Sequence, residues 1–100
     1  MLRFDLKIQE IAQQDIDESA DWYRQRGVSL SSRFLKEIRR KLAFITINPY
    51  LYPVIYRTYH QAVLQKFPFA LYYYILDNQI TIIGCLHTSR NRDRILEERI

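Results

Sequence analysis

The residue types in this chain that could do chemistry are two histidines and a group of arginines and lysines in the second half of the sequence. Histidine changes charge near neutral pH and can serve as a general acid or base, while arginine and lysine stabilise negative charge on a phosphate or carboxylate. Together these types would suit acid–base chemistry at a phosphate group without a metal ion. The candidates are His60, His87, Arg57, Lys66, Arg90, Arg92 and Arg94.

His87 is the strongest candidate for an acid or base because it directly follows a predicted strand. Strand alternation predicts that His87 and Arg57 each point away from the neighbouring apolar positions. The alternative is a histidine at a strand end whose ring only hydrogen-bonds to the backbone, which is the commoner role. His60 is predicted to be solvated at a turn.

Arg90, Arg92 and Arg94 are expected to form a cation cluster just after the last predicted strand, where a functional loop would lie. The alternative is that they only keep the tail soluble, since Asp93, Glu97 and Glu98 partly neutralise them.

No metal site or cofactor site is expected. One cysteine and two histidines are too few for a structural zinc site, which takes four ligands. The chain also lacks a glycine-rich phosphate loop and a Gly-x-Ser-x-Gly motif. Cys85 has no partner for an internal disulfide, so we expect a reducing, cytoplasmic environment.

Positive charge is concentrated in the middle of the chain. Residues 1–21 hold two basic and six acidic side chains, whereas residues 22–66 hold nine basic side chains and only Glu37 as an acid. Three of the basic residues recur at helical spacing and predict a basic stripe, which suits an acidic protein or a polyanion. The alternative is a solvated helix surface. We predict that an acidic partner contacts Arg33, Lys36, Arg40, Lys66 and Arg94.

The first half of the chain predicts one strand and two helices. Strict alternation of apolar and polar residues from Leu2 to Ile8 predicts a half-buried strand. From Glu10 the period changes to three or four, which predicts an amphipathic helix that stops at Gly27. Its apolar stripe is Ala12, Ile16, Ala20 and Tyr23.

A second helix is predicted to begin with a cap among Ser29 to Ser32 and to end at Asn48-Pro49. Its apolar stripe is Phe34, Ile38, Leu42 and Ile45. A linker of about five residues makes the two helices an antiparallel hairpin.

The second half predicts a sheet. Four segments rich in β-branched and aromatic residues are expected to be strands, at Val54 to Thr58, Ala62 to Lys66, Ala70 to Leu76 and Gln79 to Leu86. Asp77-Asn78 favours a tight hairpin between the last two. Tyr72, Tyr73 and Tyr74 must alternate between the two faces, so core packing is preferred over a base-stacking platform. Beyond His87 we expect a short helix or a frayed tail.

The predicted fold class is therefore α+β, with the order β-α-α-β-β-β(-β) and a helical hairpin packed on a twisted, mainly antiparallel sheet. A chain of 100 residues predicts a single domain over residues 1–100. Its apolar segments are too short to span a bilayer of about 30 Å, so no membrane protein is expected.

Several separate stretches of residues 10–94 resemble one protein family. They are Ala20-Asp21-Trp22-Tyr23, Arg33-Phe34-Leu35 followed by Ile38, Asn48-Pro49-x-x-x-Pro53, Lys66-Phe67-Pro68-Phe69-Ala70-Leu71-Tyr72-Tyr73, and His87-x-x-Arg90. With these motifs the chain resembles the RelE/ParE toxin superfamily, in its ParE-like plasmid-stabilisation branch. The resemblance implies the toxin of a type II toxin–antitoxin system, held silent by an acidic antitoxin that folds upon it.

The superfamily implies two possible activities. The ParE branch implies poisoning of DNA gyrase, which needs only a binding surface. The RelE branch implies ribosome-dependent mRNA cleavage, for which the candidate catalytic residues are His87, Arg90 and Arg57. The nuclease branch commonly carries a tyrosine near the C-terminus, but the last tyrosine here is Tyr74, so we favour gyrase. A degenerate homologue that binds its antitoxin without harming the cell is a third possibility.

Two departures from the family pattern stand out. The tight linker between the helices is Gly27-Val28-Ser29-Leu30-Ser31 where relatives often have Gly-Leu-Gly, and Asn91 stands where an aspartate commonly follows the arginine. The second departure removes a carboxylate that would orient Arg90, so the resemblance implies the family role of this arginine less strongly.

Overall fold

Residues 4–99 are described in the computed structural model of the chain. The strands are β1 (Asp5–Ile8), β2 (Val54–Tyr56), β3 (Tyr59–Val63), β4 (Phe69–Leu76) and β5 (Gln79–His87). The helices are α1 (Glu10–Arg24), α2 (Val28–Ile47) and α3 (Arg92–Glu98), and a 3₁₀ turn at Pro49–Leu51 follows α2. The predicted element order is confirmed, with α3 as the short C-terminal helix. Leu2 and Arg3 of the predicted first strand lie outside the described residues.

The five strands form one sheet in the order β1-β5-β4-β3-β2. β1 pairs with β5 in parallel, and the other neighbouring strands pair antiparallel, which confirms a mainly antiparallel sheet. The last hairpin turns at Asp77-Asn78 as predicted, and Asp77 has a φ of 55° in the left-handed region that this turn needs.

The helical hairpin covers one face of the sheet. The predicted stripes of both helices are buried there, except that Tyr23 is half-buried. They pack against Leu71, Tyr73, Ile80 and Ile82. Each such fully buried large side chain contributes about 1.5–3 kcal/mol, so this layer supplies most of the driving force for folding.

The other face of the sheet is covered by α3. Leu96 is fully buried and packs with Tyr59, Ala70, Tyr72 and Leu86 in a second apolar cluster. Tyr72 and Tyr73 are therefore both buried, on opposite faces, which confirms core packing for these rings. The C-terminal segment is thus a packed element rather than a frayed tail.

The predicted start of the second helix is wrong. α2 begins at Val28, and the carbonyl oxygen of Gly27 accepts the N–H groups of Leu30 and Ser31 at 3.0 and 3.3 Å. Only three residues, 25–27, connect the helices, not about five. The serines lie inside the first turns, and Ser31 is buried against the core, so none of them caps the helix.

The predicted boundaries of the second and third strands are also wrong. β2 ends at Tyr56, Arg57 and Thr58 form a tight turn, and β3 occupies Tyr59–Val63 instead of Ala62 to Lys66. Arg57 has a φ of 51°, so it adopts the left-handed backbone of a turn and does not lie on a strand face. The turn moves His60 onto a buried strand.

None of the helices within residues 4–99 is long and apolar enough to cross a membrane.

Candidate functional site

A bulge in β5 decides which way His87 faces. Tyr73 pairs with Ile82 and Tyr72 pairs with Gly84, so Ile83 is an extra residue in β5. Ile82 belongs to the helix-side core and Ile83 to the α3-side core. The extra residue shifts the alternation by one, so Cys85 and His87 return to the helix side. An unbroken alternation from Ile80 would have put His87 on the opposite face.

His87 and Arg90 consequently share a cleft between α1 and the C-terminal end of β5. The cleft has a volume of about 530 Å³. We call it the His87 cleft; its lining residues are Asp15, Glu18, Ser19, Trp22, Tyr23, Pro68, Phe69, Cys85, His87 and Arg90.

The ring of His87 is held by its neighbours. Its Nδ1 accepts the backbone N–H of Ser89 at 3.1 Å and lies 2.8 Å from Ser89 Oγ, and the ring packs edge-on against Phe69. Since Nδ1 is an acceptor, the neutral ring carries its proton on Nε2. This contact is the one expected of a histidine at a strand end whose ring hydrogen-bonds to the backbone. Nε2 stays available to donate a hydrogen bond.

Arg90 is exposed and closes the turn after β5, where its backbone N–H donates to the His87 carbonyl at 3.0 Å. The next residue, Asn91, caps α3, since its side-chain oxygen accepts the backbone N–H of Arg94 at 3.3 Å. The family departure at Asn91 therefore keeps a capping function, which asparagine and aspartate perform about equally well.

The wall of the cleft formed by α1 is aromatic and acidic. Trp22 is 51% exposed, and the Arg26 guanidinium lies 3.4 Å from the centroid of its ring. Burial raises the pKa of Tyr23, so its hydroxyl stays neutral at physiological pH. Glu18 lies on the exposed side of the same wall. The cleft thus combines an apolar floor with charges of both signs at its rim.

Arg57 is not part of this cleft. It lies in the β2–β3 turn, at the far edge of the sheet from β5, and makes two hydrogen bonds of 2.9 and 3.0 Å to the Glu97 carboxylate on α3. The Tyr56 hydroxyl donates to the same carboxylate at 2.5 Å. These contacts, with the Tyr56 hydrogen bond as the largest, lower the pKa of Glu97. The structure brings His87 and Arg90 together but separates Arg57 from both.

The predicted cluster of three C-terminal arginines does not form. Arg90 faces the His87 cleft, whereas Arg92 donates to Gln61 Oε1 at 2.8 Å on the side of the sheet that α3 covers. The Arg94 side chain is 79% exposed and lies 3.7 Å from Glu98. The turn after β5 and the start of α3 send the three side chains in different directions.

The predicted partner-binding residues meet in a second concave surface, with one exception. Arg33, Lys36 and Arg40 on α2 line a groove with Lys66, which the loop after β3 brings alongside. The groove has a volume of about 370 Å³. We call this surface, with the apolar side chains of Leu30 and Phe67, the basic groove. Arg94 lies on α3 and is not part of it.

Glu37 is the single acid of the basic groove, and it is already engaged. Its carboxylate accepts the backbone N–H of Lys66 at 3.1 and 3.2 Å, which anchors the loop to α2. The groove therefore presents mainly positive charge outward. Across residues 4–99, no three side chains of His, Cys, Asp or Glu are close enough to hold a metal ion.

The sequence model of the ParE toxin of the type II toxin–antitoxin system parDE matches residues 6–92. The chain belongs to the ParE toxin family. The match includes all residues of the His87 cleft and the basic groove. The resemblance inferred from the motifs is confirmed.

A solved structure described as the chromosomal ParDE TA system from P. aeruginosa contains a chain with the same fold. The alignment has a TM-score of 0.76 and 16% sequence identity, and covers 87% of this chain and 98% of that chain. No match was found among curated proteins. The β-α-α-β-β-β-β fold of a ParE toxin is thus shown by the sequence family and by the structural likeness together.

Sequence reasoning missed the α1 side of the His87 cleft. Trp22 and Tyr23 identified the family, but their position opposite His87 depends on the packing of α1 on β5. A tryptophan on the polar side of an amphipathic helix was the available signal, because exposed tryptophans are enriched at binding surfaces.

Proposed function

We propose that this ParE family chain arrests growth by binding DNA gyrase, and that an acidic antitoxin bound at the basic groove silences it. We favour binding over catalysis because Arg57 lies apart from His87 and Arg90. Metal-free RNA cleavage needs an acid, a base and cations around one phosphate. Here Arg57 is engaged by Glu97 at the opposite edge of the sheet from β5.

The tyrosines give no substitute for the missing group in the His87 cleft. The Tyr73 hydroxyl donates to the Pro49 carbonyl at 2.6 Å, and the Tyr72 hydroxyl is bonded to Gln61 on the α3 side of the sheet. Tyr23 does line the cleft, but burial raises the pKa of its hydroxyl, which makes it a weaker acid than an ordinary tyrosine. A cleft that only binds a partner through its aromatic floor and charged rim does not require a reactive tyrosine hydroxyl.

The gyrase proposal is tested with purified protein in a supercoiling assay on relaxed plasmid. We expect supercoiling to fall and cleaved DNA to accumulate, and we expect mRNA in a translating extract to stay intact. Addition of the proposed acidic antitoxin should restore supercoiling. Full supercoiling at a large excess of the protein would contradict the proposal. The proposal implies a cytoplasmic protein, since gyrase acts there.

A ribosome-dependent mRNA endonuclease is the second candidate, and the placement of His87 and Arg90 in one cleft favours it. Its signature would be new mRNA ends in a toeprint on ribosomes, reduced about 100-fold or more by His87→Ala, the range expected for loss of a general acid or base. Arg57→Ala is the matched control, because Arg57 lies outside the cleft. Normal growth under induced expression, with antitoxin binding preserved, would instead identify a non-toxic homologue.

A further inference from the structure

The basic groove holds four cations that have no anionic partner within the protein. Arg33, Lys36 and Arg40 follow one another along one side of α2, and Lys66 lies on the loop that forms the other wall. Among residues 4–99, none of these four side chains forms an ion pair. The acid between them, Glu37, is occupied by the backbone N–H of Lys66. The groove therefore offers positive charge to a ligand from outside.

The spacing of these cations suits a row of phosphate groups. From Arg33 to Arg40, α2 rises about 10 Å at 1.5 Å per residue. One strand of duplex DNA carries a phosphate about every 3.4 Å along its axis, so this length faces about three phosphates. A shallow depression lined by Arg40, Lys41 and Phe44 extends the groove along the helix. Lys41 thus adds a cation at the end of the row.

The basic groove offers no aromatic face on which an unpaired base could stack. Among the described residues, Phe67 is the one aromatic side chain that lines it. This ring is half-buried and packs edge-on against Tyr23 and Phe34, with centroid distances of 5.1 and 5.4 Å. Proteins that bind single strands combine cations with stacking platforms. Cations without such a platform favour a duplex, whose bases stay paired and whose phosphates face outward.

We propose that the basic groove binds the phosphate backbone of duplex DNA without reading the base sequence. A concave surface can receive the backbone ridge of a duplex, but it cannot enter the DNA groove in which the base edges are exposed. Contacts to phosphates position a protein on DNA and carry no sequence information. The arginines and lysines of the groove are the side chains that make such contacts.

The inference rests on the proposed function for its setting, since gyrase holds duplex DNA while it acts. The two concave surfaces of the chain lie on either side of one short segment. Lys66 and Phe67 line the basic groove, and the next residues, Pro68 and Phe69, line the His87 cleft. A protein bound at the cleft could therefore carry its DNA past the groove. The acidic antitoxin and the DNA would compete for the same cations.

The test measures binding of the full chain to a short fluorescent duplex by polarisation, over a series of salt concentrations. We expect a dissociation constant of about 1–100 μM near physiological salt, the range of binding without sequence preference. Four contacted phosphates predict that the logarithm of the dissociation constant rises with the logarithm of salt with a slope of about 3 to 4. A duplex of unrelated sequence should bind within about twofold of the first.

The groove variant is Arg33→Gln with Arg40→Gln, which removes two cations and keeps long polar side chains. We expect it to weaken binding about tenfold or more at low salt. It should also lower the salt slope by about two, because each phosphate contact contributes about one. The slope separates a lost phosphate contact from a general loss of affinity.

The matched control is Lys7→Gln with Arg94→Gln, which changes the net charge equally. Arg94 lies on α3, across the sheet from α2. Lys7 faces the same side as α3, because its neighbour Ile8 packs against the helix-side core and side chains alternate along a strand. The salt slope of this control should match that of wild type. Both variants change exposed side chains, and thermal melts should confirm that they fold.

Three results would overturn the inference. One is the absence of duplex binding by the wild-type chain at about 50 mM salt, where contacts to phosphates are strong. Another is an equal fall in slope for the groove variant and the control, which would show attraction by net charge alone. The third is tighter binding to a single-stranded RNA of the same length, which would assign the groove to RNA.

Supercoiling assays separate this inference from the proposed function. We expect the groove variant to inhibit gyrase less than wild type does. Equal inhibition by a groove variant that no longer binds duplex would overturn the role of the groove beside gyrase and leave the proposed function intact. Duplex binding by a wild-type chain that never inhibits gyrase would overturn the proposed function and leave the DNA site intact.

Discussion

Asp15 and Arg99, 84 positions apart in the chain, form a nearly buried ion pair at the edge of β5. Arg99 Nη1 lies 2.5 Å from Asp15 Oδ2, and Nη2 lies 3.0 Å from Oδ1. β1 pairs with β5 only as far as Ile82. Beyond that point, Asp15 accepts the N–H of Cys85 at 3.0 Å and Arg99 donates to the carbonyl of Ile83 at 3.1 Å. The pair therefore completes the sheet edge and joins α1 to the end of α3.

Removal of Arg99 should be costly because it leaves Asp15 charged and unpaired. The two side chains are only 14% and 11% exposed. We expect Arg99→Ala to lower the free energy of unfolding by about 3 kcal/mol, measured by urea denaturation. The control is Arg24→Ala, which breaks the exposed pair with Asp21 and should cost about 0.5 kcal/mol or less. Equal losses in the two variants would argue against a structural role for the Asp15–Arg99 pair.

A side chain at position 84 should crowd the Asp15–Arg99 pair. A Cβ at this position would lie 2.8 Å from Arg99 Nη1 and 3.6 Å from Asp15 Oδ2. We expect Gly84→Ala to cost about 1–3 kcal/mol by crowding the guanidinium. In an Arg99→Ala background the same change should cost much less. A double-mutant cycle measures this coupling, and additive losses would show that the strain lies elsewhere.

Cys85 should be unreactive in the folded protein. Burial, with a smaller effect from the charge of Asp15, raises the pKa of its thiol to about 12. At pH 8 we expect no alkylation by iodoacetamide in buffer and complete alkylation in urea, followed by mass spectrometry. Rapid modification of the native protein would show that this part of the His87 cleft opens.

The same thiol predicts a loss of stability at alkaline pH. An unfolded cysteine ionises near pH 8.5, whereas the native thiol stays protonated to about pH 12. Its contribution to the free energy of unfolding is complete below pH 8.5 and is lost as the pH rises towards 12. Between pH 8.5 and 9.5, wild type should therefore lose more stability than Cys85→Ala. Parallel pH curves for the two proteins would refute this.

His60 is expected to support the fold and not the activity. It was predicted to be solvated at a turn, but it is 8% exposed on β3. Its Nδ1 lies 2.7 Å from the Tyr52 carbonyl, and its ring stacks on Tyr73 with centroids 5.0 Å apart. His60→Ala should lower the free energy of unfolding by about 2 kcal/mol, while growth inhibition is retained at low temperature. His60→Phe keeps the stacking on Tyr73 and should lower the free energy of unfolding less than His60→Ala does. Loss of growth inhibition in a variant that is still stably folded would show that His60 takes part in the activity.

The placement of residues along one element was predicted more reliably than the contacts between residues that lie far apart in the chain. Arg33, Lys36 and Arg40 lie on one side of α2 because helical spacing is a local property, and the periodicity of the apolar residues gave it directly. That Lys66 joins them follows from the hydrogen bonds between its backbone and Glu37, 29 positions earlier. No local pattern encodes that contact.

Strand faces show the limit of local patterns most clearly. Alternation of residues along a strand predicts the sheet face of each side chain only while the pairing with the neighbouring strand is regular, as it is from Gln79 to Ile82. The extra residue at Ile83 reverses the sheet face on which each later side chain of β5 lies. The turn at Arg57, with its φ of 51°, makes the strand that contains His60 begin earlier than the sequence pattern predicted.

The sequence by itself therefore determined the α+β order of elements, the two apolar helix stripes, the basic stripe and the family, because all of these depend on residue types at short spacing. Only the tertiary structure decided that His87 and Arg90 share a cleft with Trp22, and that Arg57 is held apart by Glu97. The physical reason is that a bulge and a turn with left-handed backbone are stabilised by pairing and packing with distant segments, which short-range periodicity does not record.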